Sequence, residues 1–128
     1  MSVLERLLGR EHDEGFSIVP MRKRDLRHGI VDIETAAYPV GWSQNVFVSE
    51  IEQMRSGSRY YAVARQDGEI VGYAGLWFAV DEAHVTNVAV APTWRRRGIA
   101  RELMLHLAEV AVDHGCVAWT LEVRVTSH

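Results

Sequence analysis

Apolar positions recur at intervals of three or four in the second half of the chain. Ile99, Leu103, Leu107 and Val110 carry the pattern, with Ala100, Met104, Ala108 and Ala111 beside them. That spacing predicts one amphipathic helix with a broad apolar stripe. His114-Gly115 ends it, glycine being the common residue just past a helix. "CVAWTLEVRV" then alternates, with Val117, Trp119, Leu121, Val123 and Val125 on one face of a strand. Cys116, Ala118, Thr120, Glu122 and Arg124 fall on the other. "NVAVAP" ahead of the helix reads as a strand too. Strand, helix, strand in that order predicts a right-handed βαβ unit with its strands parallel.

The first half is more broken. "FSIVPM", Phe16 to Met21, reads as a short strand that Pro20 confines to an edge or a strand end. Leu26, Ile30, Ile33 and Ala37 predict a helix from Asp25 to about Tyr38, stopped by Pro39, with "YPVGW" as a loop. Ser43 is a plausible N-cap for a second helix reaching Met54, which Ser56-Gly57-Ser58 breaks. Three strand-like runs follow between Arg59 and Pro92, punctuated at Asp67-Gly68 and near Asp81-Glu82. An Asp-Gly pair between such runs marks a hairpin, so the first two should be antiparallel. The expected fold is a mixed α/β sheet with helices packed on it.

The chain's 128 residues suffice for one modest core. Residues 1–15, with Leu4, Leu7 and Leu8 among acids, read as an N-terminal extension, and 16–128 as the domain. The start has no basic segment followed by an apolar run, so neither signal peptide nor anchor is expected. Nor does any stretch reach the length of a membrane span. Lys plus Arg is 14 against 17 for Asp plus Glu, a net charge of −3, which argues against a protein that lives on nucleic acid. The one cysteine, Cys116, cannot form an internal disulfide and fits a reducing, cytoplasmic setting. It opens an apolar strand and reads as a small buried hydrophobe. The histidines (His12, His28, His84, His106, His114, His128) show no metal-ligand spacing, so no metal is expected.

"APTWRRRGIARELM" is where chemistry enters. Gly98 falls at the turn from strand to helix, where backbone N–H groups lack partners and carry the positive end of the helix dipole. A diphosphate fits there, with Arg95, Arg96, Arg97 and Arg101 around it. A solvated arginine loop would have the same composition. The spacing Arg95-x-x-Gly98-x-Ala100, after a strand and inside a βαβ unit, favours the phosphate.

With these flanks, "RRRGIA" resembles the nucleotide-binding signature of the GNAT superfamily of N-acetyltransferases, Gln/Arg-x-x-Gly-x-Gly/Ala. "TLEVRV" and "AAYPVGWSQNVF" look like the strand and the acceptor-side loop of its RimI-like branch, the ribosomal-protein-alanine N-acetyltransferases. The resemblance runs from about Phe16 to the end. It implies a GNAT-like, mostly antiparallel sheet with a parallel βαβ unit and helices on both faces. Acetyl-CoA would be the donor. Its pantetheine arm would pair with the backbone of Val88, Ala89 and Val90, and its pyrophosphate would rest on Arg95, Arg96, Arg97, Gly98, Ile99, Ala100 and Arg101. Tyr38, Pro39 and Trp42 would border the acceptor.

Glu122 matches the general base of that branch. By its residue type and place alone, a surface glutamate paired with Arg124 is the other reading. The chemistry requires a base, because an ammonium must lose its proton before its nitrogen can attack a thioester. A peptide α-amine has a pKa near ~8, whereas a lysine, near ~10.4, costs roughly 3.3 kcal/mol more to deprotonate. A single carboxylate therefore suits the α-amine, and the resemblance implies the N-terminus of a small-subunit ribosomal protein as the partner.

The resemblance departs at the end. Related enzymes continue beyond the Glu122 strand with another helix and two strands, including a tyrosine that serves as general acid. Tyr38, Tyr60, Tyr61 and Tyr73 lie upstream and none aligns with it. After "LEVR" the chain reads Val-Thr-Ser-His where Ser-Asn would be usual. The domain is thus expected to be incomplete at its C-terminus, with an exposed last strand through which two copies could pair. An acetyltransferase for lysine or a small amine, or an acyl-CoA-binding module without turnover, stays open.

Overall fold

Five strands form one mixed sheet in the computed structural model, which describes residues 16–38 and 40–121. They are β1 (Phe16–Pro20), β2 (Arg59–Gln66), β3 (Glu69–Ala79), β4 (Glu82–Val90) and β5 (Ala118–Leu121), side by side in chain order. The first four run antiparallel, and β5 lies parallel to β4. Antiparallel neighbours need only tight turns. Asp67 and Gly68 both take positive φ, 53° and 80°, as a two-residue type I′ loop requires. The parallel pair needs a crossover, and the helix α3 (Ile99–Asp113) supplies it. Pro20 ends β1, an edge strand, where a residue without an N–H is tolerated.

Each face of the sheet has its own cover. α3 lays Ile99, Leu103, Leu107 and Ala111 over Val71, Ala74, Leu76 and Val85. On the opposite face, α1 (Ile30–Ala37) and α2 (Gln44–Gln53) bring Ile30, Ile33 and Phe47 against Tyr61, Val63, Ile70 and Tyr73. Neighbours such as Val63 and Ala64, or Ile70 and Val71, divide between the two clusters, as the two-residue period of a strand dictates. Ser43 caps α2 as its sequence suggests, its Oγ accepting the Val46 N–H at 3.4 Å.

Two expectations fail here. The helix predicted from Asp25 to about Tyr38 is two pieces, a 3₁₀ turn (Lys23–His28) and then α1. Gly29, at φ 110°, separates them. Leu26 and Ile30 are both buried, so the apolar spacing survives a break that a count of periods cannot detect. The strand predicted from Cys116 begins at Ala118, and its four described residues are exposed rather than buried. β5 is bonded to β4 on one side and to no described strand on the other. An apolar groove separates it from Ala108, Ala111 and Val112 of α3. Leu121 is 60% exposed and Val117 78%.

The β3–β4 turn holds Val80 at φ 58° with its side chain in solvent. A left-handed β-branched residue is strained by roughly 1–2 kcal/mol. Asparagine tolerates that region and nothing packs on the valine. Val80→Asn should therefore stabilise the fold by about 1 kcal/mol, seen as a higher urea midpoint at unchanged m-value. An unchanged or lower midpoint would show that the turn relaxes.

Candidate functional site

Strand β4 is irregular where the site begins. Gly75 faces Asn87, but Leu76 faces Val85, which leaves Thr86 as an extra, bulged residue. Pairing to β5 covers Glu82 to Val85, so Val88 to Val90 have β3 on one side and no described strand on the other. The Ala91 N–H donates to the Val71 carbonyl at 2.8 Å. Backbone direction alternates along an antiparallel ladder, so Ala89 also points its N–H and C=O at β3, while Val88 and Val90 point theirs away. Two side-chain contacts agree. The Tyr38 hydroxyl donates to the Val88 carbonyl at 3.1 Å, and Arg95 Nε donates to the Val90 carbonyl at 3.4 Å. Of the three residues expected to offer backbone to a ligand, Val88 and Val90 face the open side and Ala89 belongs to the ladder. Asn87, next to the bulge, is buried with its Nδ2 unpartnered, a state in which few buried donors are found.

After Val90 the chain makes a 3₁₀ turn (Pro92–Trp94) and then the arginine segment. Arg96 has φ 64° and Gly98 φ 79°, so the backbone is left-handed at two of three consecutive positions. Such conformations turn successive N–H groups toward a common point. Gly98 is the N-cap of α3 and no side chain caps the helix, so its first amides remain available to an anion. A cavity of about 200 Å³ opens there, lined by Val90, Trp94, Arg95, Arg96, Arg101 and the turn from Gly98 to Ala100. That is below the 300–1,000 Å³ typical of whole-ligand pockets. Arg97, though expected here, does not line the cavity, and its guanidinium carbon lies 4.7 Å from the centre of the Trp94 ring. Trp94 was not among the expected residues, and its one signal in the sequence is an aromatic directly before three arginines.

Two buried carboxylates that the sequence reading passed over lie under the segment carrying Tyr38 and Trp42, and one of them, Glu34, bonds it directly. Glu34, fully buried on α1, accepts the Trp42 N–H at 2.8 Å and the Tyr73 hydroxyl. Glu50, nearly buried on α2, accepts the Tyr61 hydroxyl at 2.7 Å, Arg59 Nε at 2.8 Å and Trp77 Nε1 at 3.2 Å. Both could have been suspected, because Glu34 lies on the Ile30–Ile33–Ala37 stripe and Glu50 comes three residues after Phe47. Tyr38 is itself buried, with its hydroxyl aimed at Val88 rather than at solvent. Trp42 meets Phe47 and Tyr61 edge-on at 5.2 and 6.2 Å. Pro39 and Glu122 lie outside the described residues. Near the β4–β5 pair, His84 Nδ1 and Thr120 Oγ1 are 2.7 Å apart.

Among the described residues, no group of three or more His, Cys, Asp or Glu side chains could hold a metal ion, and no helix is long and apolar enough to cross a membrane. The basic residues are 13 arginines and a single lysine, Lys23, whose Nζ is 2.7 Å from Glu52 Oε2.

Uncapped amides, guanidinium groups and an open strand edge are arranged as a phosphate-bearing thioester with an amide-containing arm would need. Residues 27–128 match the model of the Acetyltransferase (GNAT) family. The chain belongs to that family. GNAT acetyltransferases take their acyl group from acetyl-CoA. A Bacillus subtilis relative, provisionally named a ribosomal protein bS18-alanine N-acetyltransferase, is 30% identical over 84% of this chain and 70% of its own length. The crystal structure of the Escherichia coli ribosomal-protein-S18-alanine N-acetyltransferase superposes with a TM-score of 0.70 at 26% identity, over 82% of this chain. This chain spans only 65% of that one. An N-acetyltransferase from Thermoplasma acidophilum, solved with coenzyme A, gives a TM-score of 0.70 at 14% identity over 78% of this chain and 74% of its own, a likeness of fold.

Burial pushes the Tyr60 phenol up to about 12, with Glu109 adding to it. Burial, and then its bond to Glu50, raises Tyr61 further. An unfolded chain ionises tyrosine near pH ~10. With the folded pKa above the unfolded one, the stability from these phenols is intact below pH ~10 and is lost as pH rises toward ~12. The urea midpoint should hold up to about pH 9.5 and then fall, and Tyr60→Phe should flatten part of that fall. A midpoint in the Tyr60→Phe variant that falls as steeply as the wild type would refute the assignment.

Proposed function

We propose that this chain moves an acetyl group from acetyl-CoA to the α-amine of a peptide N-terminus, that of a ribosomal protein. The observation that carries the reading is the segment from Trp94 to Arg101, where the uncapped start of α3 and three arginines line one cavity beside the outward-facing backbone of Val88 and Val90. In this reading the Val88 and Val90 N–H groups take carbonyls of the pantetheine arm. Arg95, Arg96, Arg101 and the amides from Gly98 to Ala100 hold the diphosphate, and Arg97 adds charge from above Trp94. Tyr38, Pro39 and Trp42 border the approaching amine. The names of the relatives support a ribosomal alanine as the acceptor.

Glu122 is the general base of the reaction. Its carboxylate takes a proton from the acceptor ammonium, and the freed lone pair attacks the thioester carbonyl carbon. The C–S bond then breaks as the nitrogen gives up its second proton to solvent, and the thiolate leaves to be protonated from solvent.

Two measurements test these roles. Gly98→Asp places a carboxylate at the diphosphate position and should weaken acetyl-CoA binding about 100-fold or more by calorimetry. Gly98→Asn makes the same demand on the backbone without the charge, so it should lose much less. Equal affinity in the Asp variant and the wild type would sink the donor site. Separately, mass spectrometry on N-terminal-alanine peptides, lysine peptides and spermidine should find the first acetylated fastest, with Glu122→Gln lowering kcat by about 10²–10⁴. Preference for lysine or spermidine would overturn the acceptor, and an unchanged kcat the base.

A further inference from the structure

Glu34 is a carboxylate where the fold asks for a hydrocarbon. It lies on the apolar stripe of α1, fully buried, with Ile30, Ile33 and Ala37 around it in the same helix. A buried carboxylate is tolerated only when its oxygens are hydrogen-bonded, and a well-packed apolar residue usually serves stability as well or better. The reason for it is therefore to be sought in its partners. Oε2 accepts the backbone N–H of Trp42 at 2.8 Å, across the loop that joins α1 to α2. Oε1 accepts the hydroxyl of Tyr73, which stands on β3 beneath. The Glu34 carbonyl accepts the Tyr38 N–H at 3.0 Å. The loop folds so closely over this side chain that a Cβ on Gly41 would sit 3.0 Å from Glu34 Cγ and 3.4 Å from its carbonyl oxygen.

These contacts end at the two described residues that border the proposed acceptor. Tyr38 reaches from the end of α1 to the outward carbonyl of Val88, and Trp42 is seated against Phe47 and Tyr61. We propose that Glu34 is a positioning residue for the amine acceptor: it ties the Tyr38–Trp42 loop to β3, and so fixes the acceptor side against the strand that faces the donor. The inference rests on the acetyltransferase reading for the identity of what binds, and on the bonds of Glu34 for the tie itself. Two hydrogen bonds to one carboxyl group make the loop a prebuilt wall rather than one that must order on binding.

The test compares wild type, Glu34→Gln and Tyr73→Phe as full chains. Glutamine keeps the shape and one acceptor oxygen, but it turns an NH₂ toward one of the two donors. In Glu34→Gln the Trp42 amide should exchange with deuterium about tenfold faster or more, while amides of β2 and β3 keep their protection. The KM for an N-terminal-alanine peptide should rise about tenfold, with kcat within a factor of about three and acetyl-CoA affinity unchanged. Tyr73→Phe should give a smaller shift in the same direction. A Trp42 amide as protected in Glu34→Gln as in wild type would overturn the tie. A loss of acetyl-CoA affinity in step with the peptide KM would reduce Glu34 to a general core residue. If wild type acetylates only a lysine peptide or spermidine, the α-amine reading fails, and the KM for that acceptor decides the role of Glu34. If it acetylates none of them, the activity reading fails and Glu34 as an acceptor-positioning residue fails with it.

Discussion

Strand β4 is hydrogen-bonded along one side by β3, and the site depends on that asymmetry. Regular pairing on both sides would consume every N–H and C=O from Glu82 to Val90 and leave a wall. Instead the bulge at Thr86 shifts the register to β3, and beyond it Val88 and Val90 present backbone groups away from the ladder. The strand stays rigid because β3 holds it, and it offers polar groups because, past Val85, no described strand pairs with its other side. α3 begins a few residues later, so its uncapped first turn lies beside the same strand. One strand thus gives the candidate site both its directional backbone and its route into a helix terminus.

The two faces of the sheet are built on different principles. Under α3 the contacts are those of an ordinary apolar core. Under α1 and α2 two carboxylates and several aromatic hydroxyl or indole groups are threaded through the packing. Polar networks of this kind lose their value if partly satisfied, and they specify geometry more sharply than hydrocarbon does. The specified part is the side where Tyr38 and Trp42 lie. Precision there and bulk hydrophobic stability under α3 divide the work of the domain between its faces.

The sequence made the second half legible because its signals are local. A three-to-four apolar period, a glycine after it and an arginine-glycine turn before it are each readable within a dozen residues, and α3 and its flanks follow them. The Asp67-Gly68 hairpin was readable for the same reason. Gly29 was missed because a left-handed residue leaves the apolar spacing of Leu26 and Ile30 intact. Trp94 and the turning of Ala89 into the ladder depend on side-chain direction and register, which no short window encodes. Glu34 and Glu50 are hardest, since a carboxylate on an apolar stripe has meaning only once Tyr73, Trp42 and Tyr61 are known to face it. The exposure of β5 likewise depends on neighbours and not on alternation.

The choice of arginine over lysine has a chemical consequence of its own. Thirteen of the chain's 14 basic side chains are guanidinium groups, which stay protonated at any physiological pH and do not act as nucleophiles. An amine with even a small neutral fraction, held next to a thioester, would compete for the acyl group and be blocked by it. Around the cavity at the start of α3 every cation is of the inert kind, and the one lysine, in the 3₁₀ turn before α1, is held by Glu52. In the proposed reading, the phosphates of an activated acyl carrier would meet charges that the carrier cannot modify. A catalyst that acylates amines has kept its own side chains almost free of them.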